Sequence, residues 1–481
     1  MPKAIQRGEL LLSLRRGAGT PVRLQLERAL RAAIQAGRLQ PGSPLPSTRV
    51  LASDLVLSRA LVVEAYEQLR AEGYVYSQPG SATIVAARPA HRAPASSEFD
   101  VASVPRFDFR PGRPDPSLFP RRAWLSALRR VLATAPAADL DYPDPRGGAS
   151  ARIALASYLN RSRATAAHPD RILLCTGFAQ GMRLLCETLR AGGVRRIAVE
   201  DPGHAFESAD VRASGVEITG VPVDDRGICV ERLTKFEAGA VLVTPAHQYP
   251  TGVVLAPERR IALLAWADRT GGFVVEDDYD GEYRYDREPL GALQGLAPER
   301  VIYIGSASKI LAPALRVGWV LAPESLIGSL SRFKLEADRG SAALDQLALA
   351  EFIDSGDLDR HLRRTRLIYR HRRELLAATL RTCLPDQRVQ GVAAGLHLIL
   401  ELPEEMDEAA VVAEAGRRSV GIYGVRAYRS DPGSGPSALL LGFCRISEAD
   451  LAEGVKRLAE VLRSMQAPPR ACARKDTRRQ T

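Results

Sequence analysis

A lysine that follows small hydroxyl residues is the strongest sign of chemistry in the chain. Lys309 directly follows Ser308, Ser306 lies three residues before it, and Arg316 lies seven residues beyond it. A lysine amine attacks a carbonyl group only when it is neutral, and burial or a nearby cation lowers its pKa toward that state. Hydroxyl groups and a guanidinium together suit a phosphate. The pattern therefore indicates a Schiff base beside a phosphate, although a Ser-x-Ser-Lys sequence alone is usually ordinary surface.

Two further polar clusters follow apolar runs elsewhere in the chain. Residues 176–181 (Thr-Gly-Phe-Ala-Gln-Gly) lead into a helical pattern, and small residues at a helix start let backbone amides surround a phosphate. This signal is weak by itself, since many glycine-rich turns are only turns. Residues 276–280 (Glu-Asp-Asp-Tyr-Asp) bring four acids and a tyrosine together. Such a cluster could bind a metal, but no histidine accompanies it, and we predict no metal site.

The elements that must position these clusters are short apolar strands that alternate with helical stretches. The predicted strands are residues 172–174, 197–199, 241–243, 273–275, 301–303 and 398–400. This alternation predicts an α/β fold with a largely parallel sheet, in which ligands bind beyond the carboxyl ends of the strands. Because all three clusters follow strands of this kind, we expect them to meet at one edge of the sheet. Their convergence makes a plain surface role for the lysine much less favoured.

The first 86 residues have a different organisation. Thr20 is the predicted cap and Pro21 the predicted first residue of a helix with a periodic run of apolar residues, which ends at Gly37. Two shorter helical patterns follow, the second of them capped by Ser58. Two β-like pieces then flank a turn at residues 78–81. Three helices and a hairpin predict a winged helix-turn-helix, an α+β unit that is mostly helical.

A winged helix-turn-helix reads DNA with the N-terminal end of its recognition helix, which lies in the major groove. The residues predicted to contact DNA are Arg49, Ser58, Arg59, Ala60 and, at the tip of the hairpin, Gly80. Residues 1–92 hold 13 Lys and Arg against 6 Asp and Glu, within a chain whose net charge is +10. This local excess is typical of a protein that binds the phosphate backbone. The plainer alternative is that Arg-rich helices present a solvated face.

The motifs of this unit carry a family resemblance. They are residues 45–52, the pair Ser58-Arg59, and residues 63–69 and 72–74. Over about residues 20–86 the chain resembles the GntR family of bacterial regulators, which implies double-stranded DNA as a partner. Val56 stands where the family turn usually has glycine, and Ala60-Leu61 replaces the usual polar pair of the recognition helix. These departures leave fewer side chains to read bases.

A second set of motifs runs through the rest of the chain. They are residues 109–115, 142–145, 176–181, 200–203, 244–252, 276–280, 305–309 and 439–443. Their order resembles the fold-type I aminotransferases, and specifically the MocR regulators, in which such a domain is fused to a GntR reader. The resemblance implies pyridoxal 5'-phosphate (PLP) as the cofactor and an amine or amino acid as the effector.

The resemblance also implies a role for each residue around the lysine. Lys309 would be the catalytic lysine and carry PLP as an internal aldimine. Asp277 would keep the pyridine nitrogen protonated, and Tyr279 would hydrogen-bond the phenolic oxygen. The phosphate would be bound by Gly177, Phe178, Ala179, Ser306, Ser308 and Arg316.

Other ligand contacts follow less directly from the resemblance. His204 stands where the family commonly has tyrosine, so ring stacking falls to His204 or to Phe206. His247, in the motif 244–252, is also predicted to bind the cofactor. Arg426 and Arg429 flank the position at which the family has its carboxylate-binding arginine. We predict that these two arginines bind the effector, which leaves open whether the effector has a carboxylate.

Composition and spacing divide the chain into four segments. We expect a winged helix-turn-helix at residues 1–86 (core 20–86), a flexible linker at 87–105, an aminotransferase-like domain at 106–465 and a basic disordered tail at 466–481. Apolar runs fall far below the ~20 residues that cross a bilayer, and the N-terminus lacks the apolar core of a secretory signal. The six cysteines have no paired spacing, which favours reduced thiols in the cytoplasm.

Two functions of different classes remain open at this point. The leading hypothesis is a transcriptional regulator that senses PLP, an amino compound that reacts with it, or both. The alternative is a working aminotransferase with a DNA-binding appendage, and the sequence does not decide whether any turnover is physiological. A basic winged helix favours the regulator, because a metabolic enzyme has no need of one. The family resemblance further implies a homodimer arranged head to tail, and no membrane partner.

Overall fold

The structure is a computed structural model, and it describes residues 14, 19–77, 82–86, 105–204, 211, 213–286 and 289–466. The chain divides into two compact units, Met1–Val101 and Ala102–Thr481, which are described separately below. Three sequence predictions lie outside the described residues: the hairpin tip with Gly80, nearly all of the predicted linker, and the predicted tail from residue 467. Phe206 also lies outside them.

The first unit has the predicted helices and hairpin. Its elements are α1 (Val22–Gln35), α2 (Thr48–Asp54), α3 (Arg59–Ala71), β1 (Val75–Tyr76) and β2 (Ile84–Val85). The two strands pair antiparallel, which confirms the winged helix-turn-helix. Ser58 caps α3 as predicted, with its hydroxyl accepting from the Leu61 amide at 3.3 Å. The first helix begins at Val22, one residue after the predicted Pro21, and Pro21 is its N-cap residue without a side-chain cap.

One turn of this unit carries backbone strain. Val56, between α2 and α3, has a φ of 53° and is 74% exposed. The left-handed region costs an L-residue roughly 1–2 kcal/mol and is rare for β-branched side chains. The turn geometry explains why the family prefers glycine at this position. Buried residues on α1 and α3, including Leu30, Val62 and Leu69, form the core that holds the turn closed.

The second unit is built on an eight-stranded sheet. Its strands are β4 (Ile172–Cys175), β5 (Arg196–Asp201), β6 (Glu217–Asp224), β7 (Gly227–Ile228), β8 (Ala240–Val243), β9 (Phe273–Asp277), β10 (Val301–Ser306) and β11 (Gly318–Leu321). The strand order is β4-β11-β10-β9-β8-β5-β6-β7. From β10 to β6 the pairing is parallel, and β4, β11 and β7 pair antiparallel. The predicted, largely parallel α/β sheet is therefore confirmed.

A second sheet corrects one prediction. It contains β12 (Val389–Gln390), β13 (His397–Glu401), β15 (Tyr423–Gly424) and β16 (Ala438–Gly442), in the order β12-β13-β16-β15. Each pairing is antiparallel. The strand predicted at residues 398–400 exists, but it belongs here and not to the parallel sheet. An apolar run identifies a buried strand and not its partner, so the sequence could not assign it. The pair β3 (Phe107–Asp108) and β14 (Val420–Gly421) is parallel.

Helices cover the parallel sheet and complete the unit. They are α4 (Arg121–Thr134), α5 (Ala149–Arg163), α6 (Phe178–Ala191), α7 (Pro257–Thr270), α8 (Ala307–Ile310), α9 (Glu324–Asp338), α10 (Ala343–Asp354), α11 (Asp357–Cys383), α12 (Glu408–Arg417) and α13 (Glu448–Gln466). Fully buried strand residues such as Leu173, Val241 and Val274 have apolar neighbours from these helices. Within the described ranges, no helix is both long and apolar enough to span a membrane.

Candidate functional site

A cavity of about 310 Å³ opens at the carboxyl edge of the parallel sheet. Strands β9 and β10 run in parallel, with Asp277 opposite Ile304, so the residues that follow both strands face the same space. Asp277, Tyr279 and Lys309 line the cavity. The size lies at the lower end of the range for small-molecule sites, roughly 300–1,000 Å³. The structure thus brings together the clusters that the sequence predicted would meet.

Lys309 lies on the short helix α8, directly after β10. Its Nζ donates to the carbonyl oxygen of Gly112 at 2.5 Å. Burial lowers the pKa of Lys309, and the charge of Arg113 lowers it further, while Asp277 and other acidic groups oppose the shift. A lowered pKa raises the fraction of neutral amine, which is the form that attacks a carbonyl group.

The four acids at residues 276–280 have four different sets of contacts. Asp277 faces the cavity. Asp278 forms a buried ion pair with Arg163, with a shortest N–O distance of 2.5 Å. Glu276 accepts from two backbone amides at 3.1 Å, and Asp280 contacts a histidine behind the cavity. In the part of the chain that the structure describes, no group of acids, histidines and cysteines is placed to hold a metal.

The turn at the start of α6 forms a cradle suited to a phosphate. Gly177 precedes the helix with a φ of 91°, and the first amides of a helix have no partner within it. Arg316 donates to the Thr176 carbonyl at 2.7 Å. A Cβ at Gly177 would come within 2.9 Å of the Arg316 Nη2 atom. Glycine therefore lets the guanidinium lie across the turn, where it faces the same cavity as Phe178, Ala179, Ser306 and Ser308.

Aromatic rings line the cavity on another side. His204 lies against Tyr249 with ring centroids 5.3 Å apart, and Tyr249 meets Tyr279 edge-on at 5.8 Å. Burial, followed by the charge of Lys309, lowers the pKa of His204 to about 4, so the imidazole is neutral near pH 7. The sequence prediction missed Tyr249, which also donates to the Tyr428 hydroxyl at 3.1 Å. It lies inside the motif 244–252, but no residue next to it in the sequence indicates that it reaches the cavity.

Four of the predicted ligand residues are not among those that line the cavity. Gly177 is the N-cap residue of α6, at the turn that forms the cradle. His247 is buried and contacts the Tyr279 hydroxyl. Arg426 forms an ion pair with Asp407 at 3.2 Å. Arg429 donates to the carbonyls of Ser434 and Pro436, the latter at 2.8 Å. The structure therefore does not bring the two predicted effector arginines to the lysine.

Four of the five predicted DNA contacts lie on the exposed surface of the first unit. Arg49, Ser58, Arg59 and Ala60 are exposed, and three of them surround the start of α3. The Ser58 hydroxyl already caps the helix, so its main role is structural. Among the described residues, neither arginine forms an ion pair, which leaves both guanidinium groups available to phosphates or base edges.

The cavity fits PLP on three features of the structure. A lysine with a lowered pKa is present, a carboxylate lies in the same wall, and a cradle of amides and guanidinium would be filled by a single Cβ at residue 177. Lys309 and Asp277 would hold the two ends of the ring system, and Arg316 would hold the phosphate. When bound, PLP supplies an aldehyde that joins primary amines and a ring that withdraws electrons.

Comparison with known proteins identifies both units. Residues 114–458 match the profile "Aminotransferase class I and II", and residues 23–85 match "Bacterial regulatory proteins, gntR family". The chain is 33% identical to the HTH-type pyridoxine biosynthesis transcriptional regulator PdxR of Corynebacterium glutamicum, over 90% of this chain and 94% of that protein. It is 30% identical to the probable rhizopine catabolism regulatory protein MocR of Rhizobium meliloti, over 95% and 97%.

The aminotransferase likeness extends to solved structures. Kynurenine aminotransferase from Pyrococcus horikoshii, crystallised with pyridoxamine phosphate, superposes with a TM-score of 0.70 at 25% identity, over 76% of this chain and 93% of that one. The second unit therefore has the fold of the PLP-dependent aminotransferases. The chain belongs to the MocR subfamily of the GntR-family transcriptional regulators, which join a helix-turn-helix reader to a PLP-dependent, aminotransferase-like domain.

Proposed function

We propose that this regulator senses an amino compound through PLP held at Lys309 and passes the signal to its DNA reader. One observation carries the proposal: a buried lysine with a lowered pKa shares a cavity with Asp277 and faces a phosphate cradle. A surface lysine would need none of these neighbours. The family membership supplies the DNA half of the function.

Each residue of the cavity has a defined task in this proposal. Lys309 would hold the cofactor. Asp277 would keep a proton on the pyridine nitrogen, and Tyr279 would donate to the phenolic oxygen. Neutral His204 and Tyr249 would pack against the ring and exclude water. The groups assigned to the phosphate are Gly177, Phe178, Ala179, Ser306, Ser308 and Arg316.

The effector is a primary amine, because only a primary amine can compete with Lys309 for the cofactor. Arg426 and Arg429 stay predictions for an effector carboxylate. Both are engaged by other groups outside the cavity, so an uncharged or cationic amine satisfies the cavity equally well. Binding constants for an amino acid and for its decarboxylated amine would separate these two effector classes.

The DNA half of the proposal assigns base contacts to the exposed N-terminal end of α3. Arg59 and Arg49 reach base edges or phosphates of double-stranded DNA, and the hairpin tip with Gly80 approaches the backbone. Two copies arranged head to tail would present two readers to paired half-sites. We place the protein in the bacterial cytoplasm, where its DNA target lies. Sedimentation of the full chain with and without DNA tests the dimer.

The decisive experiment measures binding of an operator fragment by the PLP-loaded protein with and without a panel of amines. Lys309→Ala should abolish the absorbance of the lysine-linked cofactor and the response to amines. Lys235→Ala, which removes an exposed lysine, is the matched control and should behave as wild type. Amine-dependent DNA binding that survives unchanged in Lys309→Ala would refute the proposal.

A working aminotransferase is the second candidate, favoured by the predicted cofactor-binding residues that line the cavity together with Lys309. Steady turnover of an amino donor with a keto acid, in a protein without specific DNA binding, would establish it. A third possibility makes PLP itself the signal. In that case the apo and PLP-loaded forms would differ in DNA binding with no amine added, and the same titration distinguishes it.

A further inference from the structure

His247 does not line the cavity, but it contacts Tyr279, which does. Its Nδ1 atom is 2.9 Å from the Tyr279 hydroxyl oxygen and 2.9 Å from the Asp280 Oδ2 atom. His247 and Asp280 are 3% and 2% exposed, so solvent has little access to this contact. A Cβ at Gly395 would overlap the imidazole ring. The chain is therefore built closely around this histidine.

One nitrogen that faces two oxygens restricts where the protons lie. The Asp280 carboxylate can only accept, so Nδ1 of His247 must carry a proton to bond it. A protonated Nδ1 cannot accept, so the Tyr279 oxygen also accepts from it and the phenol proton is left for another acceptor. Burial, followed by the charge of Asp280, raises the pKa of Tyr279 well above its usual value. Tyr279 therefore keeps that proton. Asp280 is also within hydrogen-bond reach of the Tyr279 hydroxyl, but Tyr279 lines the cavity, so an acceptor placed there competes with Asp280 for the same proton.

We propose that His247 and Asp280 are positioning residues that hold Tyr279 as a hydrogen-bond donor directed into the cavity. The inference rests on the proposed function, since its acceptor is the phenolic oxygen of PLP. A donor at that oxygen stabilises the deprotonated state of the cofactor. Without the donor, the lysine-linked cofactor keeps its proton to a higher pH.

Other titratable groups pack around this trio. They are Asp277 on β9, Lys309 on α8, Tyr249 in the turn after β8 and His397 on β13, together with Tyr285 and Cys444, whose electrostatic interactions reach Asp280. The ring of His397 lies 5.5 Å from that of His247. Burial, followed by the neighbouring His247, lowers the pKa of His397 to about 3, so His397 stays neutral throughout a titration above that value. It therefore offers a control of similar burial that does not contact Tyr279.

The test is a pH titration of the absorbance of the PLP-loaded full chain. His247→Leu should raise the midpoint by roughly 0.5 to 1 pH unit, the size expected for one neutral hydrogen bond. His247→Gln should restore most of the wild-type midpoint, because its amide can donate to the same oxygen. His397→Gln should titrate as wild type. Cofactor stoichiometry checks that each variant is folded, and His247→Phe replaces His247→Leu if the latter does not fold.

Tyr279→Phe separates this inference from the rest of the proposal. Tyr279→Phe alone should raise the midpoint at least as much as His247→Leu, and adding His247→Leu to it should cause no further shift. An unchanged midpoint in His247→Leu, with a shifted one in Tyr279→Phe, would mean that Tyr279 needs no histidine, and the inference would be wrong. An additive shift in the double variant would also overturn it. A wild-type protein without lysine-linked absorbance would instead refute the proposed function.

Discussion

Replacing Gly177 by alanine tests the phosphate cradle most sharply. The residue has φ 91° and ψ 177°, a region that is essentially restricted to glycine and costs other residues about 1–3 kcal/mol. The new Cβ would also lie 2.9 Å from the Arg316 Nη2 atom, so the guanidinium must move. We expect Gly177→Ala to lose stability and, separately, affinity for the phosphate of PLP.

The loss of stability and the loss of PLP affinity can be measured separately. A hydrogen bond to a charged group contributes about 1.5–3 kcal/mol, so displacing Arg316 should weaken PLP binding by roughly 10- to 100-fold. Pyridoxal, which lacks the phosphate, should bind the variant and the wild type alike. Equilibrium binding of both compounds to the apo-protein measures the difference.

Gly193→Ala supplies the matched control. Gly193 has a nearly identical φ of 93°, but a Cβ there would meet nothing within 4 Å. The Gly193→Ala variant should therefore lose stability through backbone strain but keep its affinity for PLP. Equal PLP affinities in Gly177→Ala and Gly193→Ala would refute the cradle, because only the first substitution displaces the arginine.

Three further predictions concern stability and are measured by chemical denaturation. Val56→Gly should stabilise the reader by up to about 1 kcal/mol, since relief of the strain at φ 53° exceeds the entropy cost of glycine. Asp278→Ala should cost about 3–5 kcal/mol because it leaves Arg163 buried without its partner. Burial raises the pKa of Glu200 from 4.5 to about 7, so its stabilising contribution is full below pH 4.5 and is lost as the pH rises through 7. As the pH rises from 4.5 to above 7, the free energy of unfolding of Glu200→Gln should therefore increase relative to that of the wild type by roughly 3 kcal/mol.

Each of these predictions has a clear contrary result. A lower midpoint of the reader transition in Val56→Gly would mean that the turn is not strained. A loss in Asp278→Ala no larger than that in Glu324→Ala, which breaks an exposed pair, would mean that the buried pair contributes little. A pH-independent difference between Glu200→Gln and the wild type would show that Glu200 ionises normally.

The residues at the strand ends could be predicted from the sequence because each cluster is a contiguous segment that directly follows an apolar run. Lys309, Asp277 and Gly177 each follow an apolar run, and a parallel sheet brings such positions to one edge. The position of the turn at Val56 follows from the family resemblance, but its strained φ of 53° appears only in the structure. Local patterns of this kind depend on the backbone immediately around them.

Contacts between distant segments could not be predicted in this way. Tyr249 reaches the cavity because its turn packs against Tyr279, and neither residue's neighbours in sequence indicate this. The four acids at residues 276–280 look alike in sequence, yet only packing decides that Asp278 pairs with Arg163 while Asp277 faces the cavity. The position of β13 in a separate sheet has the same cause: hydrogen-bond partners of a strand are chosen by tertiary structure.

Lys309 is the residue proposed to hold PLP, and chemical trapping tests this assignment directly. Borohydride reduces the bond between a lysine and the cofactor to a stable secondary amine, and mass spectrometry of the digested protein then locates the modified residue. We predict one phosphopyridoxyl group per chain, on the peptide that contains Lys309, and none in protein preincubated with a saturating effector amine. Modification of a different lysine, such as the buried Lys334, or of none in the PLP-loaded protein, would contradict the account.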